Sequence, residues 1–473
     1  MKAFVGRVAE LASLGELLDE VRQGRGPRPG RAVAIRGRRQ VGKSLLAEVF
    51  CERAGVPFFY FLATGQPSVP VELDRFVRLL SSAAFPNARI ARNSSPRSWL
   101  EALELLADVL PRDQPSIVVI DELPYLVAQD PGFEGALQAI WDRQISPLPV
   151  LLLLVGSDLS MMEALGSYDR PFYRRAREMV LRELNPADVQ GLTGLPAPAA
   201  FDAYLITGGL PVVCIEWRDS ESVTGFLRRQ FAQAISVLLV GGERTLSAEF
   251  PAEAQAAVVL RTIGCGERTF GDIARRAGGL PPGSLLRSLD LLRRKRVVAA
   301  DTPLSVRPSK ETRYRVSDPA LRFWLRFGEP AIPEAERGRP DLAMERFERE
   351  WRSWRGRAIE PVVREALNRL LPDDQFPDVR EVGGWWNRAN NPEVDLVGAD
   401  RAGVAERVLF VGSIKWREDS AFDADDFERL AGHRMAVPGT TPTTPLVAVS
   451  RAGAEVDGLA AVYRPEDLIG AWK

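Results

Sequence analysis

The sequence predicts an α/β fold: a parallel β-sheet with a glycine-rich loop, followed by a helical region, a helix-and-hairpin region and a second α/β region. Three observations support this prediction. Apolar, strand-length runs alternate with helix-like segments from residue 31 to 157, a glycine-rich motif separates the first run from the first helix, and the alternation returns after residue 346. Apolar runs that are buried on both faces and joined by helices are typical of parallel sheets.

Four apolar runs predict the strands of the first sheet, namely RAVAIRG (31–37), PFFYFLATG (57–65), SIVVIDE (116–122) and VLLLLVGS (150–157). The segments between them, including 43–55 and 98–110, predict helices. Two helices and two strands later in the chain follow the order of a winged-helix domain, and a Pro- and charge-rich stretch comes after them. The predicted boundaries are 1–180 for the sheet region, 181–250 for a helical lid, 251–327 for the winged helix, 328–345 for a linker and 346–473 for the last α/β domain.

The composition predicts a globular protein without a membrane span. Hydrophobic residues make up 45% and charged residues 26% of the 473 residues, and this length predicts about three or four domains. No apolar run approaches the ~20 residues that span a bilayer, and the first residues lack the apolar core of a signal peptide. Three scattered cysteines, Cys51, Cys214 and Cys265, predict neither disulfides nor a zinc site. These features predict a cytoplasmic location.

The net charge of −1 conceals a basic region. Residues 251–330 carry 15 Lys and Arg against 8 Asp and Glu, a local net charge of +7. Such a region favours binding to polyanions. A solvated arginine-rich surface, in a chain that uses little lysine, explains the charge equally well, and the sequence leaves both interpretations open.

The glycine-rich motif GRRQVGKS fits G-x-x-x-x-G-K-S between a predicted strand and a predicted helix. In such a loop the backbone amides and the helix N-terminus face phosphate groups. Lys43 would reach the β- and γ-phosphates, and the Ser44 hydroxyl would bind Mg²⁺. The residues predicted to bind the nucleotide are Gly37, Arg38, Arg39, Gln40, Val41, Gly42, Lys43 and Ser44.

Acidic residues at the end of a later strand complete the predicted nucleotide site. Asp121 would hold the Mg²⁺ shell, and Glu122 would polarise an attacking water. Ser157 ends the next strand, where it would either sense the γ-phosphate or cap the strand. The segment PFYRRAREM that follows contains three arginines, one of which is a candidate arginine finger for the nucleotide of its own or a neighbouring subunit.

The first half of the chain resembles the archaeal-type ATPase family, a branch of the AAA-like and STAND-related P-loop proteins. The segments that carry the resemblance, in order over roughly residues 1–240, are FVGRVAELASL, the glycine-rich loop, VVIDELPYL, VGSDLSMM, PFYRRA and TGGLP. The resemblance implies ATP, with Mg²⁺, as the cofactor. The family usually has Gly-Arg where this chain has Arg174-Arg175, so only Arg175 carries over as the family's arginine. Val8 follows Arg7 where the family has Glu, a departure that would alter how the adenine pocket is closed.

The predicted winged helix is rich in basic residues. Its second helix carries Ser284, Arg287, Arg293, Arg294 and Arg296, and its hairpin carries Arg307, Lys310 and Arg313. If these side chains contact DNA or RNA, they would bind mainly to phosphates, and the binding would depend on salt and be weakly specific. The alternative is a lid that reports the nucleotide state to the rest of the chain.

The last domain places polar residues on neighbouring elements. They are Glu360 in a predicted helix, Glu393 and Asp395 in PEVDLVG, and Ser413 and Lys415 in VGSIKW. Positions 413 and 415 share one face of a strand. This arrangement resembles the PD-(D/E)xK nuclease fold, a restriction-endonuclease-like α/β domain that is often fused to archaeal-type ATPases.

The nuclease resemblance implies that two acids hold a divalent metal. It also implies a lysine that assists the nucleophile or stabilises developing charge. Ser413 stands where the family has an acid, and a hydroxyl is a poor substitute at a hard-cation site. Glu393 would supply negative charge in place of the missing acid. The sequence therefore predicts a degenerate nuclease site that has lost its cleavage activity. Three alternatives stay open for the domain: an active nuclease, an inactive domain that binds nucleic acid, and a purely structural domain.

Aromatic and histidine content add two further constraints. Trp385 and Trp386 precede the acid-bearing strand, where they would either stack on bases or belong to the core. His433 is the single histidine of the chain, so a histidine-based catalytic pair or metal triad is excluded.

The predicted function is an Mg²⁺-dependent ATPase with a winged helix and a degenerate nuclease-like output domain, linked to DNA or RNA and able to form homo-oligomers. The alternative function is a nucleotide-dependent signalling switch that recognises protein partners and has no nucleic-acid role. A third option, an ATP-binding scaffold without turnover, is disfavoured because Lys43, Asp121 and Glu122 are all present.

Overall fold

The computed structural model describes residues 4–24, 26, 28–65, 68–168, 170–249, 254–266, 268–389 and 391–473. The chain divides into two compact units, an N-terminal unit (Gly6–Glu183) and a C-terminal unit that contains Leu184–Lys473. Across the described residues, the helices are too short or too polar to cross a bilayer.

The N-terminal unit is built on a five-stranded parallel sheet. Its strands are β1 (Arg31–Arg36), β2 (Phe58–Leu62), β3 (Ser116–Asp121), β4 (Val150–Gly156) and β5 (Arg177–Val180), in the order β2-β3-β4-β1-β5. Its helices are α1 (Val8–Arg22), α2 (Lys43–Ala54), α3 (Val69–Ser81), α4 (Trp99–Val109), α5 (Leu123–Gln129), α6 (Phe133–Ile140) and α7 (Leu159–Leu165). Strands β3 and β4 are buried along their whole length, so the predicted parallel α/β sheet is confirmed.

Strand β5 was not predicted from the sequence. Its four residues, REMV, are mostly exposed, because the strand lies at the edge of the sheet beside β1. An edge strand of this length has no apolar run that would distinguish it from a loop.

The C-terminal unit begins with a helical segment and a helix–hairpin module. The helices of the segment are α8 (Pro186–Thr193), α9 (Ala197–Thr207), α10 (Pro211–Cys214), α11 (Val223–Phe231) and α12 (Val237–Glu249). The helix–hairpin module comprises α13 (Ala254–Gly264), α14 (Phe270–Arg276), α15 (Pro282–Arg294) and the antiparallel strands β6 (Val298–Asp301) and β7 (Arg313–Val316). The order of its last two helices and its hairpin agrees with the predicted order, and the winged-helix assignment itself stays a prediction.

The rest of the C-terminal unit is a mixed sheet with a long helix. The elements are α16 (Pro319–Phe323), α17 (Glu329–Glu336), α18 (Pro340–Leu370), β8 (Glu381–Trp386), β9 (Glu393–Ala399), β10 (Val408–Lys415), α19 (Ala424–Arg434), β11 (Leu446–Ser450), β12 (Ala461–Tyr463) and α20 (Pro465–Ile469). The sheet order is β12-β11-β10-β9-β8, antiparallel among β8, β9 and β10 and parallel from β10 to β12.

The segment 328–345 differs from the predicted linker, because helix α17 and the first turns of α18 occupy most of it. Pro330 and Pro340 stand in the first turns of α17 and α18, where a missing backbone donor costs little, whereas Pro333 lies inside α17. Apolar side chains within it, including Ala331 and Met344, are buried. The proline content of this segment is therefore compatible with helices and does not identify an open connection.

A buried ion network joins the helical segment to α18 and to the end of the mixed sheet. The Asp202 carboxylate on α9 accepts hydrogen bonds from Arg355 Nη1 at 3.1 Å and from Arg451 Nη1 at 2.7 Å. Arg355 also donates to the Trp416 carbonyl at 3.2 Å and pairs with Glu418. Asp202 and Arg355 are almost fully buried, so each charge depends on its partners.

We expect Asp202→Ala to lower the free energy of unfolding of the C-terminal unit by about 3 kcal/mol or more, because it leaves buried arginine charges without their shared carboxylate. Urea denaturation followed by tryptophan fluorescence measures the loss. The control is Glu365→Ala, which breaks an exposed i,i+4 pair with Arg369 and should change the free energy of unfolding by about 0.5 kcal/mol or less. Equal effects of the two substitutions would contradict the assignment.

Candidate functional site

The glycine-rich loop between β1 and α2 closes around the Lys43 ammonium. Lys43 Nζ donates to the carbonyl oxygens of Gly37 at 3.0 Å and Arg38 at 2.8 Å. Gly42, which caps α2, has φ of 89°, and Gln40 has φ of 67°. Both lie in the left-handed region, which glycine adopts without cost and glutamine rarely adopts. The loop is therefore held in a tight conformation around the first residue of α2.

The Lys43 ammonium is buried next to two carboxylates. Burial lowers the pKa of Lys43, while the nearby Glu122 and Asp121 raise it and Arg39 lowers it. The side chain is only 6% exposed. An additional anion at the loop would offset the cost of keeping this charge buried.

Asp121, at the end of β3, is held by two hydrogen bonds. Its carboxylate accepts from the Tyr60 hydroxyl at 2.7 Å and from the Glu122 amide at 2.8 Å. Burial raises the pKa of the Tyr60 phenol and Asp121 raises it further, whereas a side-chain hydrogen bond with Ser44 lowers it. Tyr60 thus links the two residues that the sequence predicts as Mg²⁺ contributors. Sequence reasoning missed Tyr60, because it reads as one more aromatic residue of an apolar strand.

Glu122 and Ser157, from the ends of two neighbouring strands, lie in contact. The Ser157 hydroxyl is 2.8 and 3.0 Å from the two carboxylate oxygens of Glu122. Glu122 itself has φ of 53°, a left-handed conformation that is uncommon for a residue with a side chain and that clusters at functional sites. The carboxylate is therefore oriented both by its backbone and by the serine.

Arg7 is a second residue whose contact with the loop was not predicted. Its guanidinium is buried, and Nη2 donates to the carbonyl oxygens of Val41 at 2.9 Å and Arg182 at 2.5 Å. Glu10 accepts from Nη1 at 3.2 Å. Val8, the departure from the family pattern, is 78% exposed, and Glu10 supplies the acid that pairs with Arg7.

Arg175, the candidate arginine finger, is engaged within its own unit. Its Nε and Nη2 donate to the Asp142 carboxylate at 2.9 and 2.7 Å, and Nη1 donates to the carbonyl oxygens of Pro171 at 2.8 Å and Tyr173 at 3.1 Å. The hydrogen bond with Asp142 raises the pKa of the guanidinium. Contact with a nucleotide would require Arg175 to leave Asp142, and its catalytic role stays a prediction.

Three of the predicted nuclease-site residues lie together in the C-terminal unit. Ser413 Oγ and the Ile414 amide donate to the same carboxylate oxygen of Asp395, at 2.9 and 2.8 Å. Arg364 donates through Nη2 to Glu360 at 3.1 Å and through Nε to the Asp395 carbonyl at 3.0 Å. Burial raises the pKa of Glu360, Arg364 lowers it in part, and Asp395 raises it again. Arg364 thus partly offsets the cost of the buried Glu360 carboxylate.

The remaining two predicted residues face elsewhere. The Lys415 ammonium lies 3.3 Å from Asp426 on α19, which also pairs with Arg417. Glu393 pairs with Arg313 of the helix–hairpin module. In the described part of the chain, no group of three or more His, Cys, Asp or Glu side chains is arranged to hold a metal ion. Lys415 and Glu393 therefore each have an ion-pair partner outside the Asp395–Ser413 contact, and the nuclease-like assignment, with the expectation that Glu393 compensates for Ser413, stays a prediction.

Two further expectations for this region change. Trp385 and Trp386 are 8% and 5% exposed, so of the two interpretations that the sequence leaves open the structure agrees with the core one and not with base stacking. Arg313 was a predicted wing contact for nucleic acid, but its guanidinium is buried between Glu393 and the Trp386 ring, whose centroid is 4.3 Å away. The periodicity of a hairpin does not reveal which of its arginines is covered by another part of the fold.

The arginines of the predicted second helix are exposed. Arg287, Arg293 and Arg294 line an open cavity of about 810 Å³ between α15 and β6, together with Asp290 and the strand residues 298–300. Asp290 lies 3.9 Å from Arg293. The cavity therefore has a predominantly positive wall.

The five-stranded parallel sheet and the GRRQVGKS loop between β1 and α2 define a P-loop NTPase fold. Residues 324–427 match a family model described as archaea bacterial proteins of unknown function, DUF234. Over 427 residues, 88% of each chain, the sequence is 26% identical to uncharacterized protein MJECL04 of Methanocaldococcus jannaschii.

Two solved structures are similar at low identity. The Walker-type ATPase PABY2304 of Pyrococcus abyssi matches 68% of this chain and 96% of its own, at 19% identity and a TM-score of 0.46. The ORC2 protein of Aeropyrum pernix, in its ADPNP–ADP complexes, matches 72% of this chain and 95% of its own, at 14% identity and a TM-score of 0.46. The fold assignment rests on the strand order and the loop of this chain itself.

We expect Ser413→Asp to lower the free energy of unfolding of nucleotide-free protein by about 2 kcal/mol, because a hydrogen bond to Asp395 becomes a contact between like charges. Mn²⁺ should not restore the loss while Arg364 is present, and should restore it in the Ser413→Asp, Arg364→Ala double variant. Thermal unfolding with and without Mn²⁺ measures both effects. Ser413→Asn is the uncharged control, and stabilisation of the wild-type C-terminal unit by Mn²⁺ would refute the assignment of Arg364.

Proposed function

We propose that this chain is an Mg²⁺-dependent ATPase whose C-terminal unit is a nuclease-like output module that binds nucleic acid without cutting it. The observation that supports the enzymatic part is the placement of Lys43, held in the loop after β1, near Asp121 and Glu122, with Ser157 bonded to Glu122 at the end of the neighbouring strand. This set contains a phosphate ligand, two oxygen-bearing side chains and a positioned carboxylate, which P-loop ATPases require.

The residues of the loop fit an ATP–Mg²⁺ complex. Backbone amides of the loop and the N-terminus of α2 would bind the phosphates, and the Lys43 ammonium would exchange its carbonyl partners for phosphate oxygens. The Ser44 hydroxyl and the Asp121 carboxylate are oxygen ligands, which Mg²⁺ prefers. When bound, Mg²⁺ would neutralise part of the charge on the phosphates. Tyr60 would keep both ligands in place, since it bonds to each of them.

Glu122 is the proposed general base. Its left-handed backbone and its two contacts with Ser157 hold the carboxylate in one orientation before any substrate binds, and an oriented carboxylate accepts a proton from a water more effectively than a mobile one. Ser157 acts as a positioning residue in this proposal. Arg175 is proposed to stabilise charge on the nucleotide after it leaves Asp142, within one chain or across a homo-oligomer.

We expect Glu122→Gln to lower kcat for ATP hydrolysis by about 10²- to 10⁴-fold and to change ATP affinity little, because the amide keeps the shape of the side chain but accepts no proton. Phosphate release at saturating ATP measures kcat, and titration with a fluorescent ATP analogue measures affinity. Lys43→Ala should weaken the affinity itself. Glu52→Gln, an exposed substitution on α2, is the control, and unchanged turnover in Glu122→Gln would remove the assigned base.

The nucleic-acid link is supported by the exposed arginines of α15 and by the net charge of +7 over residues 251–330. Guanidinium groups on the wall of an open cavity suit phosphate contacts with little base specificity. The other candidate function is a nucleotide-dependent switch that recognises proteins through the same module, and the module would then act as a lid rather than as a nucleic-acid contact.

We expect the double reversal Arg293→Glu, Arg294→Glu to weaken binding of 20-nucleotide DNA or RNA by about 10-fold or more. The slope of log affinity against log salt concentration should become shallower by about 0.9 on duplex DNA, or about 0.7 on a single strand, for each phosphate that is no longer neutralised. Fluorescence anisotropy at several salt concentrations measures both. The matched control reverses Arg349 and Arg352, which are 67% and 72% exposed on α18. Equal losses in the two double variants would indicate non-specific charge attraction, and absence of binding by the wild type would favour the protein-recognising switch.

A further inference from the structure

Arg7 holds one main-chain carbonyl of the glycine-rich loop. Its Nη2 donates to the Val41 carbonyl at 2.9 Å, and its guanidinium is buried. The Val41 carbonyl and the Gly42 amide belong to one peptide group, and in a planar trans peptide these two groups point in opposite directions. A carbonyl that is turned toward Arg7 therefore directs the Gly42 N–H to the other side of the loop backbone.

The contacts that Lys43 makes with the loop are not compatible with phosphate binding. Its ammonium donates to the carbonyl oxygens of Gly37 and Arg38, and in the proposed function it exchanges both for phosphate oxygens. The loop then loses these two contacts when its amides must be ordered around the phosphates. Arg7 has a carboxylate of its own, Glu10 at 3.2 Å, so its contact with the loop does not have to be given up.

The backbone before α1 presents Arg7 to the loop. Gly6 has φ of 76° and Arg7 has φ of 61°, and left-handed conformations of residues other than glycine cluster at functional sites. The Arg7 carbonyl accepts a hydrogen bond from the Leu11 amide at 2.9 Å. The first turn of α1 therefore fixes the backbone from which the arginine side chain extends.

The same nitrogen of Arg7 contacts the last residues of the N-terminal unit. Nη2 carries two hydrogens, and besides Val41 it donates to the Arg182 carbonyl at 2.5 Å. Arg182 lies in residues 181–183, which we call the exit segment because the C-terminal unit continues from Leu184. One guanidinium nitrogen therefore joins the loop to the exit segment.

The exit segment also contacts the start of the loop directly. The Leu181 amide donates to the Arg36 carbonyl at 2.7 Å. A Cβ atom at Gly37 would lie 2.3 Å from the Leu181 carbonyl oxygen, so the approach requires glycine at this position. The exit segment is thus in contact with the beginning of the loop through its backbone and with Val41 through Arg7.

We propose that Arg7 is a positioning residue for the glycine-rich loop and couples nucleotide binding to the exit segment. The inference rests on the ATP binding of the proposed function and adds a residue and a form of regulation to that site. Phosphate that binds the loop amides fixes the Val41–Gly42 peptide, and the shared Nη2 then fixes the Arg182 carbonyl. Since coupling is reciprocal, an ordered exit segment favours nucleotide binding to the same extent.

The first test separates affinity from turnover. Arg7→Gln should weaken binding of a fluorescent ATP analogue by about 10- to 100-fold, because the loop is no longer ordered in advance. It should leave kcat at saturating ATP within about threefold, since the contact between Glu122 and Ser157 is unchanged. A loss of kcat with wild-type affinity would contradict a positioning role.

Two variants serve as controls for this test. Arg22 also belongs to an i,i+3 ion pair and donates to a main-chain carbonyl, that of Ala54 at 2.8 Å, at the far end of α2 from the loop. Arg22→Gln should change the affinity less than about twofold. Glu10→Gln removes the ion pair and leaves both carbonyl contacts of Arg7 in place. Equal losses in Glu10→Gln and Arg7→Gln would assign the effect to the ion pair and overturn the proposal.

The second test measures the coupling by amide hydrogen exchange with and without saturating ATP. In the wild type, ATP should slow exchange in residues 37–44 and in the exit segment. In Arg7→Gln, residues 37–44 should respond and the exit segment should not. If Arg7→Gln does not fold, Arg7→Lys replaces it, because the shorter lysine keeps the charge but does not reach both carbonyls. A wild-type response of the exit segment in the folded variant would overturn the proposal.

The outcomes also distinguish this inference from the function on which it rests. No ATP binding by the wild-type chain would overturn both. Normal ATP affinity in Arg7→Gln, together with weakened affinity in Lys43→Ala, would overturn the role of Arg7 and leave the nucleotide site intact.

Discussion

A buried carboxylate needs a compensating partner, and the kind of partner decides what each site of this chain can do. In the N-terminal unit the partners are neutral donors: a phenol and an amide for Asp121, and a hydroxyl for Glu122. These hydrogen bonds orient the carboxylates without cancelling their charge. The Lys43 ammonium lies near both, but its own hydrogen bonds go to loop carbonyls. This site therefore keeps negative charge available to a cation.

The carboxylates of the C-terminal unit have the opposite kind of partner. Glu360 is paired with Arg364, and Glu393 with Arg313, so positive charge is already supplied by the protein. Asp395 differs from these two, because its carboxylate accepts hydrogen bonds from neutral donors, the Ser413 hydroxyl and a backbone amide. The acids of this cluster are therefore held by arginines, a hydroxyl and a backbone amide, and Ser413 takes part as a hydrogen-bond donor to Asp395.

The sequence predicted the parallel sheet well because its signals are local. Strands buried on both faces are continuous apolar runs, and the glycine-rich loop is specified by residues next to one another. The sequence did not predict elements and contacts that depend on residues far away in the chain. Edge strand β5 has no apolar run, and prolines that begin α17 and α18 look like linker residues. In the C-terminal unit, the sequence correctly predicted that Asp395 and Ser413 lie close together. It could not identify Arg364 as their neighbour, because the chain contains so many arginines. Tyr60 and Arg7 were missed for the same reason.

The position of Lys415 bears on the proposal that the C-terminal unit does not cut nucleic acid. The lysine remains on β10, two residues after Ser413, yet its ammonium pairs with Asp426 of α19 rather than with the Glu360 and Asp395 cluster. In a metal-dependent site such a lysine acts on a phosphate that the metal already holds. Without the metal, a single ammonium cannot both replace it and assist the nucleophile. An ammonium that is already paired with Asp426 is held away from both roles, so the contacts of Lys415 support the proposal of a module that does not cut nucleic acid.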